Sequence, residues 1–175
     1  MGGRVYRGSI GFAGEIGHVR VADSGDCSCG RVGCLETQVG IDRLADAFAR
    51  RVGRAADFEG LVEATAAGDA DAAAVIEETG RILGGAISYV VGLLNPSVVI
   101  LAGPLTAAGE ALRRPLVETL RGATFGPSTD VPVVISDLQH MSAAIGGATR
   151  VLERGLHEGS LIAAAGPAVS AAGAL

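Results

Sequence analysis

The stretch from residue 14 to residue 36 reads Gly-Glu-Ile-Gly-His-Val-Arg-Val-Ala-Asp-Ser-Gly-Asp-Cys-Ser-Cys-Gly-Arg-Val-Gly-Cys-Leu-Glu, and it holds all three cysteines of the chain and one of its three histidines. One imidazole and three thiols are the donor complement of a closed, tetrahedral structural zinc site. His18, Cys27, Cys29 and Cys34 therefore predict a zinc knot. Cys27 and Cys29 share a side where the chain is locally extended, and Gly30 with Gly33 permits the sharp turn that returns Cys34 to the same point. A redox dithiol would follow the Cys-x-x-Cys pattern rather than Cys-x-Cys-x4-Cys, and an iron-sulfur cluster would need a fourth thiolate that the chain lacks. Left without a metal, clustered exposed thiols are an oxidation liability. Four protein ligands leave no open position for water, so the metal is read as structural rather than catalytic.

The remainder of the chain is long enough to fold around its own core. At 175 residues it reads as one domain that does not depend on a metal merely to exist, so zinc is expected to order a region. The formal charge of -5, from 14 basic and 19 acidic residues without a basic run, lacks the electrostatic footprint of a nucleic-acid binder. Clustered cysteines in odd number favour metal ligation in a reducing compartment over a disulfide framework, which places the protein in the cytoplasm. The most apolar run, Ile82 to Leu94, is 13 residues long, too short for a bilayer span. The N-terminus carries no signal-peptide pattern, and no membrane partner is expected. Aromatic residues make up 3% of the chain and tryptophan is absent, so the core must be built from Val, Leu, Ile and Ala in close backbone packing, as in helices layered on a sheet.

Along the chain, residues 4 to 7 and 16 to 22 alternate and carry β-branched side chains, which predicts two short strands around a Gly-rich bend from Gly8 to Gly14. The strand period puts His18 and Arg20 on one face, toward the cysteine loop. Helical spacing then marks Ile41 to Val52 and Phe58 to Thr65. A long helix from about Asp69 to Leu94 follows, its second half expected to be buried nearly all round, with Gly80, Gly84, Gly85 and Gly92 allowing a neighbour to approach closely. Asn95-Pro96 stops it. Ser97 to Ala102 reads as a buried parallel strand ended by Gly103-Pro104, Leu105 to Arg121 as a helix, Val131 to Ser136 as a second buried strand, and Ser142 to Glu158 as a last helix. The order predicts an α/β arrangement with right-handed crossovers over residues 1–160, and residues 161–175 an Ala/Gly-rich tail.

Closing the knot draws two carboxylates, Glu15 and Glu36, into one neighbourhood with His18. Ionised carboxylates only accept hydrogen bonds, which suits them to adjacent sugar hydroxyls. The imidazole nitrogen that zinc does not use remains a donor. Glu36 could equally begin the helix that follows, or the pair could be a solvated face.

Gly14-Glu15-Ile16-Gly17-His18, followed by Cys27-Ser28-Cys29-Gly30-Arg31-Val32-Gly33-Cys34-Leu35-Glu36, resembles the signature of the ROK family of bacterial sugar kinases and sugar-responsive transcriptional repressors. Asn95-Pro96, Gly103 and the Ala143 to Ala148 segment resemble its later landmarks, so the resemblance covers about residues 3–158. It implies an actin-like, ribonuclease H-like ATPase fold. The part in hand would be the C-terminal lobe, carrying the zinc loop, part of a sugar pocket and a dimer surface. It also implies sugar contacts from Glu15, His18 and Glu36, and zinc on His18, Cys27, Cys29 and Cys34.

The chain departs from the family pattern upstream. Family kinases place a Gly-rich phosphate loop and a catalytic aspartate before the zinc motif, and no acidic residue precedes Glu15 here. A complete phosphotransferase cannot be assembled from these residues. The helix-turn-helix of the family's repressors is missing as well, so the chain is expected to be a C-terminal fragment whose DNA contacts would come only through a missing N-terminal module. The turn Leu101-Ala102-Gly103-Pro104 replaces the two glycines by which family kinases approach adenosine. That favours the ligand-sensing, dimerising lobe of a regulator, with a sugar or sugar phosphate as ligand and a homodimer as assembly. The alternatives are the C-terminal lobe of an ATP-dependent sugar kinase and a stand-alone zinc-stabilised binding module.

Overall fold

The fold hangs on one long helix, α4 (Ala70–Leu94), whose ends are set by local chemistry. Asp69 caps it, its side chain accepting from the Ala72 N–H at 2.8 Å. At the other end Asn95 adopts a left-handed conformation with φ 42° and returns its N–H to Val91, and Pro96 cannot continue the turn. The structure is a computed structural model and describes residues 5–138 and 141–158. The predicted tail lies outside the described residues. Before α4 come α1 (Glu36–Val39), α2 (Ile41–Val52) and α3 (Phe58–Ala66). After it come β1 (Val99–Leu101), α5 (Gly109–Ala123), β2 (Val133–Ile135) and α6 (Ser142–Glu158).

β1 and β2 pair in parallel, Val99 opposite Val133 and Leu101 opposite Ile135, with α5 in the crossover between them. α4 and α5 approach at two glycines. A methyl group on Gly80 would sit 2.6 Å from the Leu112 carbonyl oxygen, and one on Gly84 2.4 Å from that of Leu116. Gly85 and Gly92 have nothing within 4 Å and do not serve this contact. Leu44, Phe48, Phe58, Leu61, Val75, Ile76 and Leu112 form one core cluster, which joins α2, α3, α4 and α5. Ile87, Val91, Leu116, Leu120 and Val133 form a second, beneath the sheet. A third, Leu35, Val39 and Ala86, with Ile16, Val21 and Ile82 packed against it, fastens the cysteine loop to α4.

Five expectations are corrected. Residues 16 to 22 are not a strand. Ile16–His18 is a 3₁₀ turn, and beyond it Arg20 bridges Cys34 in isolation. Residues 5 to 7 form no strand either, and a strand without a partner has no ladder to hold it. The helix expected from Leu105 divides into a 3₁₀ turn over Pro104–Ala108 and α5, because Gly109 at φ 56° breaks the helical path. The second half of α4 is not buried all round. Tyr89 is 68% and Leu93 83% exposed, since among the described residues the cysteine loop covers it at Ile82 and Ala86, and beyond them only the face toward α5 and the sheet is covered. The sheet is likewise one-sided, with Ile100 62% exposed between two half-buried neighbours. Among the described residues no helix is long and apolar enough to cross a membrane.

Candidate metal and ligand site

The cysteine loop is a short antiparallel excursion held by backbone hydrogen bonds. Val21 and Ala22 donate to the Gly33 carbonyl at 2.8 and 3.1 Å, and Leu35 donates to Val19 at 2.8 Å. At the tip Cys27 donates to Arg31, Gly30 donates back to Cys27, and Asp26 bridges Val32. Gly33 takes φ 76° where the chain folds onto itself, and a methyl group there would lie 1.7 Å from the Ala22 carbonyl oxygen. No other residue type fits that position. Side chains on α1 tie the loop down: Thr37 Oγ1 donates to the Cys34 carbonyl at 2.7 Å, and Gln38 Nε2 donates to the Ser24 carbonyl at 2.8 Å.

This frame gathers the four predicted ligands. One donor atom from each of His18, Cys27, Cys29 and Cys34 lies within 4.8 Å of the other three, an arrangement able to hold a metal ion. Cys27 Sγ is 3.5 Å from His18 Nδ1, and Cys29 Sγ is 3.7 Å from Cys34 Sγ. Cys27 and Cys34 are buried, whereas Cys29 is exposed. The His18 ring presents Nδ1 to the thiols, which leaves Nε2 as its second nitrogen.

Glu36, the first residue of α1, leans its carboxylate onto the same cluster rather than onto the helix end. Its Oε1 accepts from the Cys27 thiol at 2.9 Å and from Ser28 Oγ at 3.4 Å, and lies 3.7 Å from His18 Nδ1. Glu15 precedes the 3₁₀ turn, where its carbonyl accepts the His18 N–H at 3.2 Å, and its carboxylate is not one of the four clustered donors. Arg20 does not face the knot. Its guanidinium donates to Asp23 Oδ1 at 2.7 Å and to the Ala22 carbonyl at 3.2 Å, because the 3₁₀ turn shifts the phase expected of a strand.

The thiols differ in acidity. Cys27 is pushed up to about 12, chiefly because it donates to the Glu36 carboxylate, where a thiolate would meet a second negative charge. Cys29 is drawn down to about 6, first by the hydrogen bond from the Arg31 guanidinium and then by that from Cys27. Sequence reasoning singled out neither Arg31 nor Gln38. An arginine two residues from a cysteine was the available signal for the first, and nothing local points from Gln38 to Ser24.

The architecture is α/β, and it is similar to solved ROK family structures of actin-like sugar kinase fold. A crystal structure of a ROK family transcriptional regulator, a homologue of the Escherichia coli MLC protein, matches with a TM-score of 0.70 at 29% identity, over 76% of this chain and 37% of that one. The ROK hexokinase from Thermus thermophilus matches with a TM-score of 0.68 at 28% identity, over 86% of this chain and 52% of that one. Among curated proteins, the DNA-binding transcriptional dual regulator NagC of Escherichia coli K12 is 35% identical over 172 residues. That match takes in 91% of this chain and 42% of NagC, so the chain spans about two fifths of that relative's length. A sequence model of the ROK family matches residues 1–154. The chain belongs to the ROK family.

Proposed function

We propose that this chain is the sugar-sensing, dimerising lobe of a ROK transcriptional regulator, with a structural zinc on His18, Cys27, Cys29 and Cys34 and a sugar held by Glu15, His18 and Glu36. The observation that carries the reading is the contact of Glu36 with the knot, which puts an acceptor carboxylate beside the clustered donors. The donor set fits zinc in kind and in spacing. Tetrahedral zinc with thiolates at about 2.3 Å and imidazole nitrogen at about 2.05 Å has sulfur–sulfur edges of about 3.8 Å and sulfur–nitrogen edges of about 3.6 Å. Two of the six donor separations here are 3.7 Å, between Cys29 Sγ and Cys34 Sγ, and 3.5 Å, between Cys27 Sγ and His18 Nδ1, and all six lie within 4.8 Å.

Zinc, when bound, supplies positive charge that keeps the thiols ionised. An ionised Cys27 has no proton to give Glu36, and Oε1 is then free to accept from a sugar hydroxyl. With Nδ1 turned to the thiols, His18 Nε2 is the nitrogen that donates to the same sugar. Glu15, one turn before His18, offers a second acceptor. Burial of Cys27 and Cys34 and the packing of Leu35 and Val39 on α4 hold these groups in place, so that ligand contacts are transmitted to the helix that organises the lobe. DNA would be contacted by a module outside these residues, the assembly is a homodimer, and thiolate metal ligands suit the reducing cytoplasm.

The regulator reading is supported by the extent of the NagC match, which takes in nearly the whole chain. The second reading, the C-terminal lobe of a sugar kinase, is supported by the hexokinase match. Relatives are named as an N-acetylglucosamine repressor, a glucokinase and a xylose repressor, so N-acetylglucosamine, glucose and xylose are the first ligands to try. Calorimetry on zinc-loaded protein is expected to find one of them, and Glu36→Ala is expected to weaken it at least tenfold while zinc content stays at one per chain. Unchanged affinity in that variant would return Glu36 to a purely structural role, and absence of zinc from reduced, chelator-free protein would remove the metal from the reading.

A further inference from the structure

We infer that Cys29 and Cys34 are a peroxide-modifiable pair, with Cys29 the thiol attacked first and Cys34 the one that resolves it into a disulfide. The release of metal described below rests on the zinc reading above. The assignment of the pair rests on geometry alone.

The three cysteines stand in different places. Cys29 is exposed at the tip of the loop, and Cys27 and Cys34 are buried. Cys27 is occupied by Glu36 at 2.9 Å, and a carboxylate repels the anionic sulfur that reaction with peroxide needs. Cys34 Sγ waits 3.7 Å from Cys29 Sγ, and a disulfide requires about 2.05 Å. The segment between them can supply that displacement. Gly30, between them, has no neighbouring atom within 4 Å of where a side chain would be, so the loop tip has room to move.

The chemistry balances with hydrogen peroxide as oxidant. The Cys29 thiolate attacks one peroxide oxygen, an S–O bond forms, the O–O bond breaks, and the departing hydroxide takes a proton to leave as water. Cys34 sulfur then attacks Cys29 sulfur. The S–S bond forms as the S–O bond breaks, and the second oxygen leaves as hydroxide, which takes a proton from solvent to become water. Two thiolates lose two electrons, and one peroxide with two protons from solvent becomes two waters. Of the four donors only His18 and Cys27 then remain, too few for a closed site. Oxidation would thus open the knot against which Glu36 rests, joining redox state to the sugar contacts.

The test uses the purified, zinc-loaded chain titrated with hydrogen peroxide. Zinc release is followed with a chromogenic chelator, and the thiols are then blocked and the protein is cut with trypsin. Cleavage at Arg20, Arg31 and Arg43 places Cys27 and Cys29 together in peptide 21–31 and Cys34 alone in peptide 32–43. The expected product is a cross-link between these two peptides through Cys29, located by fragmentation, formed one for one with released zinc. Cys27→Ser is expected to keep the cross-link. A disulfide confined to peptide 21–31, a cross-link through Cys27, or zinc release with all thiols still alkylatable would overturn the assignment. Should the starting protein carry no zinc, the metal reading fails by itself, and the same peptide map still decides the pair.

Discussion

The sharpest test of the loop is a comparison of two glycines that look alike in the sequence, Gly30 and Gly33. Both sit at positive φ, 82° and 76°, so alanine at either costs about 1 to 2 kcal/mol for the left-handed backbone alone. The surroundings separate them. Gly30 has nothing within 4 Å of a built Cβ, while a Cβ on Gly33 would lie 1.7 Å from the Ala22 carbonyl oxygen. That overlap is with backbone and cannot be relieved by rotating a side chain. Relief must part the two arms of the loop, and the hydrogen bonds at risk are those from Val21 and Ala22 to the Gly33 carbonyl, at 2.8 and 3.1 Å, and from Gly33 to Gly25 at 2.8 Å. At about 1 kcal/mol each, these raise the cost of Gly33→Ala by about 2 to 3 kcal/mol over Gly30→Ala. Because ligand geometry and loop folding are linked, the difference should appear in metal affinity, at roughly tenfold per 1.4 kcal/mol, or about a hundredfold. Competition titration with a zinc chelator measures the affinity. Hydrogen exchange at the amides of Val21 and Leu35 reports whether the two arms have parted. Equal affinities and equal exchange in the two variants would refute the claim that the Ala22 to Gly33 crossing holds the knot.

Further outcomes are expected. Gly84→Ala should lower the melting temperature, costing about 1 to 3 kcal/mol, because its methyl group would sit 2.4 Å from the Leu116 carbonyl oxygen. Gly85→Ala, with open space around it, should leave stability unchanged or raise it by about 0.5 to 1 kcal/mol, and differential scanning calorimetry distinguishes the two. In metal-free protein, alkylation of Cys29 should rise with pH around a midpoint of about 6, and Arg31→Ala should move that midpoint toward the ordinary 9.0. Cys27 should stay unreactive across the same range, since its thiol is held up to about 12 by Glu36. The sign for stability follows from the direction of the Cys29 shift. Its contribution is fully present above about 9 and fades as pH falls through about 6.

Much of the helical framework was legible because helix ends are written locally. Ile41 to Val52 and Ser142 to Glu158 are helices over the predicted ranges, and the α4 limits follow from Asp69 as a cap and Asn95-Pro96 as a stop. The parallel strands were legible in position from their apolar runs, but not in burial. Ile100 and Tyr89 look like core residues in the sequence, and whether an apolar side chain is covered depends on which element lies over it. The same limit explains residues 16 to 22. Alternation marks a chain that could pair, yet the described residues offer it only the bridge from Arg20 to Cys34, and the start closes into a 3₁₀ turn instead.

At the site, the sequence by itself determined the donor inventory. The chain has three cysteines, all between residues 27 and 34, so any cluster of thiols must form there, with His18 in reach and glycines at the turns. What only the tertiary structure decided is how those donors differ from one another. Cys27 meets the carboxylate of Glu36 and Cys29 the guanidinium of Arg31, and the two thiols are driven in opposite directions although they stand two residues apart. A local pattern can name a thiol, but the charge beside it is set by where α1 and the loop tip bring Glu36 and Arg31. Electrostatic interactions act through space, and their strength depends on separation and solvent that no spacing of residues along the chain records.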